Sequence, residues 1–243
     1  MVLRKFVTAV GMLALALAAI PATLSAQTFG YFGDNGPVHW GDLDPDWVTC
    51  RDGDRQSPVD FGLFTLIWKR SHRLSIDYGE TTGAIFNNGH TIEVETEGQN
   101  TLRLDDDYEL VQFHFHTASE HRFNGRGFDM EMHLVHKSAE GVNAVLGVFL
   151  KRGSSSGALA PIFEQLPDDI DVHHELEESF NTKDFLPKDR THYRYLGSLT
   201  TPPCSEGVRW VVMAEPVTVS DEDMAQFAER IHFNARFVRR KLK

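Results

Sequence analysis

Hydrophobic and polar positions alternate over short stretches through most of this chain, and sustained 3.6-residue periodicity is rare. An irregular segment over 29–60 is rich in Gly, Pro, Asp and Trp. Beyond it, Ala84–Asn87, Thr91–Glu95, Thr101–Leu104, Leu110–His116, Met130–His136 and Ala144–Leu150 are bounded by Gly, Asn or Asp and read as strands. Gly153–Gly157 reads as a loop, Ala158–Leu166 as a short helix, and Arg194–Leu196 and Val208–Ala214 as strands again. Ser220, with Asp223 three positions on, starts a helix that runs to about Ile231. The pattern predicts a mostly β single domain, built on a large, mostly antiparallel twisted central sheet with short peripheral helices.

The first 26 residues do not belong to this pattern. Arg4 and Lys5 precede an apolar run from Phe6 to Ile20, followed by a small-residue tail over Pro21–Ala26. The run is shorter than the ~20 residues that span a bilayer. A secretory signal cleaved near Ala26 fits better than a retained anchor, leaving a domain over 27–243 that is periplasmic or secreted and not stably inserted in the membrane. Cys50 and Cys204 are the only cysteines. In an oxidising compartment they are expected to pair, the alternative being two separate buried thiols. The formal net charge of −11 opposes binding to nucleic-acid phosphates. It does not specify oligomeric state, and a homodimer is compatible with it.

Candidate chemistry comes from the same alternation. It places Leu110, Gln112, His114 and His116 on one face of a strand and Val111, Phe113 and Phe115 on the other. Glu131, His133 and Val135 share a face of the next strand, opposite Met130, Met132 and Leu134. Asn124-Gly125 midway between the strands favours a long hairpin, which would bring three imidazoles together. Three neutral imidazoles with an open fourth position are a known arrangement for catalytic zinc. Gln112 and Glu131 each lie two residues before a histidine on the same face, where they can accept its other N–H. A surface His-Phe-His strand over an aromatic core is the plainer alternative.

The motifs Gln112-Phe113-His114-Phe115-His116, Ser119-Glu120-His121 and Glu131-Met132-His133-Leu134-Val135-His136 resemble those of the alpha class of carbonic anhydrase. So do Asn35-Gly36-Pro37, Trp40, Gln56-Ser57-Pro58-Val59-Asp60, Asn87-Asn88-Gly89-His90 and Ser198-Leu199-Thr200-Thr201-Pro202-Pro203-Cys204, in the family's order over roughly 29–236. The resemblance implies a zinc lyase that reversibly hydrates carbon dioxide to bicarbonate and a proton, by attack of zinc-bound hydroxide. His114, His116 and His133 match the ligands, through Nε2, Nε2 and Nδ1 respectively, with Gln112, Glu131 and Asn234 behind them. His90 matches the proton shuttle, and Thr200 a hydroxyl that donates to Glu120. Val135, Val145, Leu199, Thr201, Val208 and Trp210 match the substrate pocket. Cis bonds at Ser57–Pro58 and Pro202–Pro203 are also implied. The rival readings are a zinc hydrolase of small esters and a non-catalytic binding module on the same fold.

Several positions depart from the family's pattern. Phe29 stands where Trp is common, Thr117 where an aromatic is frequent, and Glu93 where a neutral polar residue is frequent; Glu93 is expected to raise the pKa of His90. Near the C-terminus, Phe237 replaces an expected Pro and the basic run Arg239-Arg240-Lys241-Leu242-Lys243 follows. The family's final strand is accordingly expected to be short or frayed. His121 is expected to be buried, and the other histidines to be structural or at the surface.

Overall fold

The computed structural model describes residues 28–62, 69–71, 74–154 and 157–238. The expected signal over 1–26, His72 and the basic run over 239–243 lie outside the described residues. Two one-turn helices, α1 (Trp40–Leu43) and α2 (Thr49–Asp52), build the irregular N-terminal segment. The first strands are β1 (Lys69–Ser71), β2 (Ser75–Asp77), β3 (Glu80–Asn87), β4 (Ile92–Glu97) and β5 (Thr101–Arg103). The central ones are β6 (Asp107–Thr117), β7 (Met130–Lys137) and β8 (Asn143–Arg152). Helix α3 (Ala160–Phe163) precedes β9 (His174–Glu175), β10 (Phe180–Asn181), β11 (His192–Ser198), β12 (Glu206–Met213) and β13 (Val217–Val219), and α4 (Asp221–Arg230) comes last.

The sheet runs β1-β11-β12-β8-β7-β6-β4-β3-β10. It is mostly antiparallel as expected, but β12 and β13 both pair with β8 in parallel. The β6–β7 hairpin forms as predicted. Asn124 and Gly125 take φ of 52° and 77°, and Phe123 and Arg126 exchange backbone hydrogen bonds across them. A two-residue turn with both φ positive suits the strands' right-handed twist, and Asn-Gly is the pair that tolerates it.

One face of this hairpin is core. Phe113, Phe115, Met132 and Leu134 are fully buried with Phe163 of α3 and Phe227 of α4. Phe113 and Phe115 each stabilise the fold by roughly 1.5–3 kcal/mol through burial. Alternation fails at one place. Leu110 joins that core and Val111 is 40 % exposed, the reverse of the expected faces. A β-bulge between Leu110 and Gln112 inserts one residue and flips everything before it.

Helix α4 is capped as expected, the Ser220 hydroxyl accepting the Asp223 N–H at 3.0 Å. The helix expected over Ala158–Leu166 is only the single turn Ala160–Phe163, because Gln165 N–H closes back to Ile162 in a tighter three-residue turn. No strand follows α4 among the described residues, in keeping with the departures at the C-terminus. Cys50 and Cys204 form a disulfide, surrounded by Trp40, Tyr31 and Phe233. Cis bonds occur at Ser57–Pro58 and Pro202–Pro203, and also at Thr117–Ala118.

His136 is wholly buried beside Tyr78, whose hydroxyl hydrogen-bonds its Nε2. Burial pushes its pKa down to about 3. Between that value and ~6.5 the unfolded chain takes up a proton that the folded chain does not. His136 therefore contributes stability in full above the unfolded pKa, and the contribution is lost as pH falls. The loss from this group should reach roughly 3 kcal/mol by about pH 4. Denaturant unfolding at stepped pH should register the decline, and His136→Gln should flatten it.

Candidate metal centre

The bulge-corrected register sets His114 directly opposite His133 across β6 and β7, with His116 two residues along on the same face. Each ring is held from behind by an oxygen that can only accept. Nδ1 of His114 donates to Gln112 Oε1 at 2.8 Å, Nδ1 of His116 to the Asn234 carbonyl at 2.9 Å, and Nε2 of His133 to Glu131 Oε1 at 2.8 Å. Those partners fix the tautomers: the protons sit behind, and the lone pairs point forward. The forward atoms are Nε2, Nε2 and Nδ1, matching the set the resemblance implies, and they lie within 4.8 Å of one another.

Three converging lone pairs repel one another unless a cation lies among them. His116 Nε2 is buried and has no hydrogen-bond partner among the described residues. Burial, aided by the neighbouring imidazoles, holds His114 well below the usual histidine range, and burial likewise lowers His116. Both rings are neutral at physiological pH, as metal ligation requires. Glu120 adds a negative charge, its Oε2 lying 3.7 Å from His116 Nε2 and 4.0 Å from His133 Nδ1. The residues therefore fit a divalent cation with borderline-soft preferences, zinc above all.

A second cluster, His121, Glu131 and His133, is a hydrogen-bond network instead. His121 Nδ1 donates to Glu131 Oε1 at 2.6 Å, the same oxygen that accepts from His133, and His121 N–H donates to Oε2 at 2.8 Å. Burial pushes Glu131 up, but His121 and His133 together outweigh it and hold the carboxyl well below the usual range. His121 is buried as expected.

Two expectations fail. Thr200 is buried nearby, but the hydrogen bond from its hydroxyl to Glu120 is not formed. Glu120 Oε1 accepts Arg236 N–H at 2.8 Å, and Oε2 has no hydrogen-bond partner among the described residues. Glu93 does not raise His90. Its carboxylate accepts from Asn88 Nδ2 at 3.2 Å, and the imidazole is lowered by burial with only Asp171 opposing. The burial has a visible source: the Phe29 ring stacks on His90 with centroids 3.9 Å apart and planes at 11°.

A cavity of about 250 Å³ opens onto this arrangement, lined by His90, His114, His116, Glu93 and Thr201. Val145, Val208 and Trp210 form a buried apolar cluster against which Val135 and Leu199 pack. The Trp210 ring lies 4.9 Å from that of His133, so the apolar wall abuts the triad. Asn88, part of the Asn87-Asn88-Gly89-His90 motif, also lines the cavity, as does Tyr31, which was not singled out in the sequence because a Tyr in an irregular segment carries no functional signal of its own.

Residues 35–242 match the family model for eukaryotic-type carbonic anhydrase. A carbonic anhydrase of Pectobacterium carotovorum is 38 % identical over 84 % of this chain and 83 % of its own length. One from Nostoc sp. is 39 % identical over 89 % of this chain and 84 % of its own. Among solved structures, the alpha-carbonic anhydrase from Thermovibrio ammonificans, complexed with sulfanilamide, superposes with a TM-score of 0.84 at 39 % identity. That superposition covers 88 % of this chain and 96 % of the other.

Proposed function

Because this chain belongs to the alpha carbonic anhydrases and so interconverts carbon dioxide and bicarbonate, we propose that it works with a zinc ion held by His114, His116 and His133. The observation that carries this is the orientation of the three rings, each with its proton turned to an acceptor and its lone pair turned to the same point. Zinc, when bound, supplies a Lewis acid that brings the pKa of water to ~7, a value known from carbonic anhydrases themselves.

The remaining roles belong to this chain's side chains. Gln112, Glu131 and Asn234 keep the ligands in one tautomer and one direction. Val135, Val145, Leu199, Val208 and Trp210 present a surface without hydrogen-bonding demands, where uncharged carbon dioxide displaces water at little cost. Thr200 and Thr201 border that wall and offer hydroxyls to orient substrate. Glu120 fixes negative charge beside the ligands. His90 accepts the proton released and passes it to buffer. Export through residues 1–26 is part of the same reading, supported by the short apolar run and by the Cys50–Cys204 bond.

Purified protein should contain zinc equimolar with the chain and should hydrate carbon dioxide in a stopped-flow indicator assay. A chain that folds, binds no zinc and lacks activity overturns the proposal. The shuttle is tested separately. In His90→Ala, zinc content should be unchanged, kcat should fall by about tenfold to a hundredfold, and kcat/KM should change much less. Added imidazole should recover part of the loss. An NMR titration of His90 should have its midpoint below the usual ~6.5, with the neutral acceptor form persisting to correspondingly lower pH. In Phe29→Ala the midpoint should rise, since water reaches the ring.

A further inference from the structure

Carbon dioxide hydration takes up an uncharged molecule and delivers an anion, so charge alone can separate what enters the cavity from what must leave it. Of the described side chains that line the cavity of about 250 Å³, Glu93 is the one that carries a full charge at neutral pH, and no Lys or Arg joins it. Its place is set by the sheet. Glu93 stands directly opposite His114 across β4 and β6, so the two side chains project from the same face. Asn88, in the turn before β4, donates through Nδ2 to Glu93 Oε2 at 3.2 Å. The Asn88 Oδ1 accepts the N–H groups of His90 and Thr91 at 2.9 and 2.8 Å. The half-buried carboxylate is therefore tied to the segment that carries His90. Burial and Glu95 push its pKa up, while the Asn88 hydrogen bond and His173 draw it back. Glu120 adds a second negative charge beside the triad.

We propose that Glu93 is a specificity-determining residue that sets the cavity against anions, weakening its hold on bicarbonate and on simple monoanions that compete for the same place. This rests on the reading of His114, His116 and His133 as the metal ligands. A cation held there attracts every anion in solution, whereas uncharged carbon dioxide gains little from that attraction. A fixed carboxylate on the neighbouring strand subtracts from the attraction for anions and leaves the neutral substrate its access. Product and inhibiting ions are thus released by one and the same field. At an effective dielectric constant of about 20–30, one charge within ~10 Å changes a monoanion's affinity roughly sixfold to fifteenfold.

The test exchanges cobalt(II) into the triad and follows its visible spectrum as thiocyanate, azide or bicarbonate is added at about pH 7. Stopped-flow hydration of carbon dioxide by the zinc protein runs beside it. Glu93→Gln keeps an oxygen for Asn88 and removes the charge. In this variant all three anions should bind about fivefold to fifteenfold more tightly. kcat/KM for carbon dioxide should change by a smaller factor than any of these affinities. Glu93→Ser should reproduce the gain, and Glu93→Asp, which keeps the charge, should stay within about twofold of wild type. Equal anion affinities in wild type and Glu93→Gln overturn the proposal and leave the triad reading intact. A wild-type chain that takes up neither metal overturns both. Tighter thiocyanate and azide with weaker bicarbonate would make Glu93 a hydrogen-bond partner of the product, which also overturns it. So does a fall in kcat in weak buffer that imidazole repairs while anion affinities stay put, since Glu93 would then be a proton acceptor.

Discussion

In His133→Ala, zinc content and carbon dioxide hydration fall together, and zinc added to the assay restores little of either. The variant keeps two of three forward nitrogens and leaves Glu131 with one donor fewer inside a closed network. Its effect should exceed that of Glu131→Gln, which leaves all three ligands in place and disturbs only the oxygens behind them. Loss of such an outer partner typically costs about 10–100-fold in metal affinity. Competition with a chelator of known affinity measures both variants on one scale. The graded order, wild type above Glu131→Gln above His133→Ala, is the expected result. Equimolar zinc retained in His133→Ala would move the metal away from this triad.

The second large effect is on stability. Cys50 and Cys204 are 154 residues apart in sequence, and a crosslink that closes so long a loop stabilises by about 5 kcal/mol in the chain-entropy model. Both cysteines are buried among aromatic rings, so alanine is the substitution that avoids stranding a hydroxyl there. Cys50→Ala with Cys204→Ala should lose about that much in denaturant unfolding, and either single alanine should lose nearly as much. Activity should decline in what remains folded, because Gln56 Nε2 donates to the Cys204 carbonyl at 3.1 Å, three residues past Thr201. A double variant within about 1 kcal/mol of wild type would mean that the loop is held by packing alone.

What the sequence made legible was whatever depends on local period. Alternation in β6 and β7 was enough to gather the three histidines, and Asn-Gly was enough to turn the hairpin, because strand faces and two-residue turns are set within a few residues. Leu110 and Val111 were misplaced for the same reason: one extra residue in a ladder is invisible to a pattern of period two. The parallel pairing of β8 with β12 and β13 joins strands more than fifty residues apart, and nothing local encodes it. Glu93 misled because charge and proximity in sequence to His90 suggested an interaction that Asn88 takes over. The ring that decides the behaviour of His90 is Phe29, sixty-one residues upstream. Thr200 and Glu120 were linked by resemblance alone, and among the described residues the second Glu120 carboxylate oxygen accepts no hydrogen bond where that link was expected.

Asn234 accepts from His116 Nδ1 through its carbonyl and from Thr117 N–H through Oδ1, while its Nδ2 donates to the carbonyls of His90 and Phe115. Two residues later, Arg236 N–H holds Glu120, and its guanidinium reaches the carbonyls of Ser57 and Cys50. A growing chain that has already made all three histidines still lacks the clamp that aligns His116, because that clamp lies 118 residues after His116 itself. The triad can be gathered by its own hairpin, but its final geometry waits for residues 234–236 to thread back over strands already in place. Synthesis order thus separates having the three histidines from having them aligned, and on the proposed reading tight capture of metal must follow the making of residues 234–236.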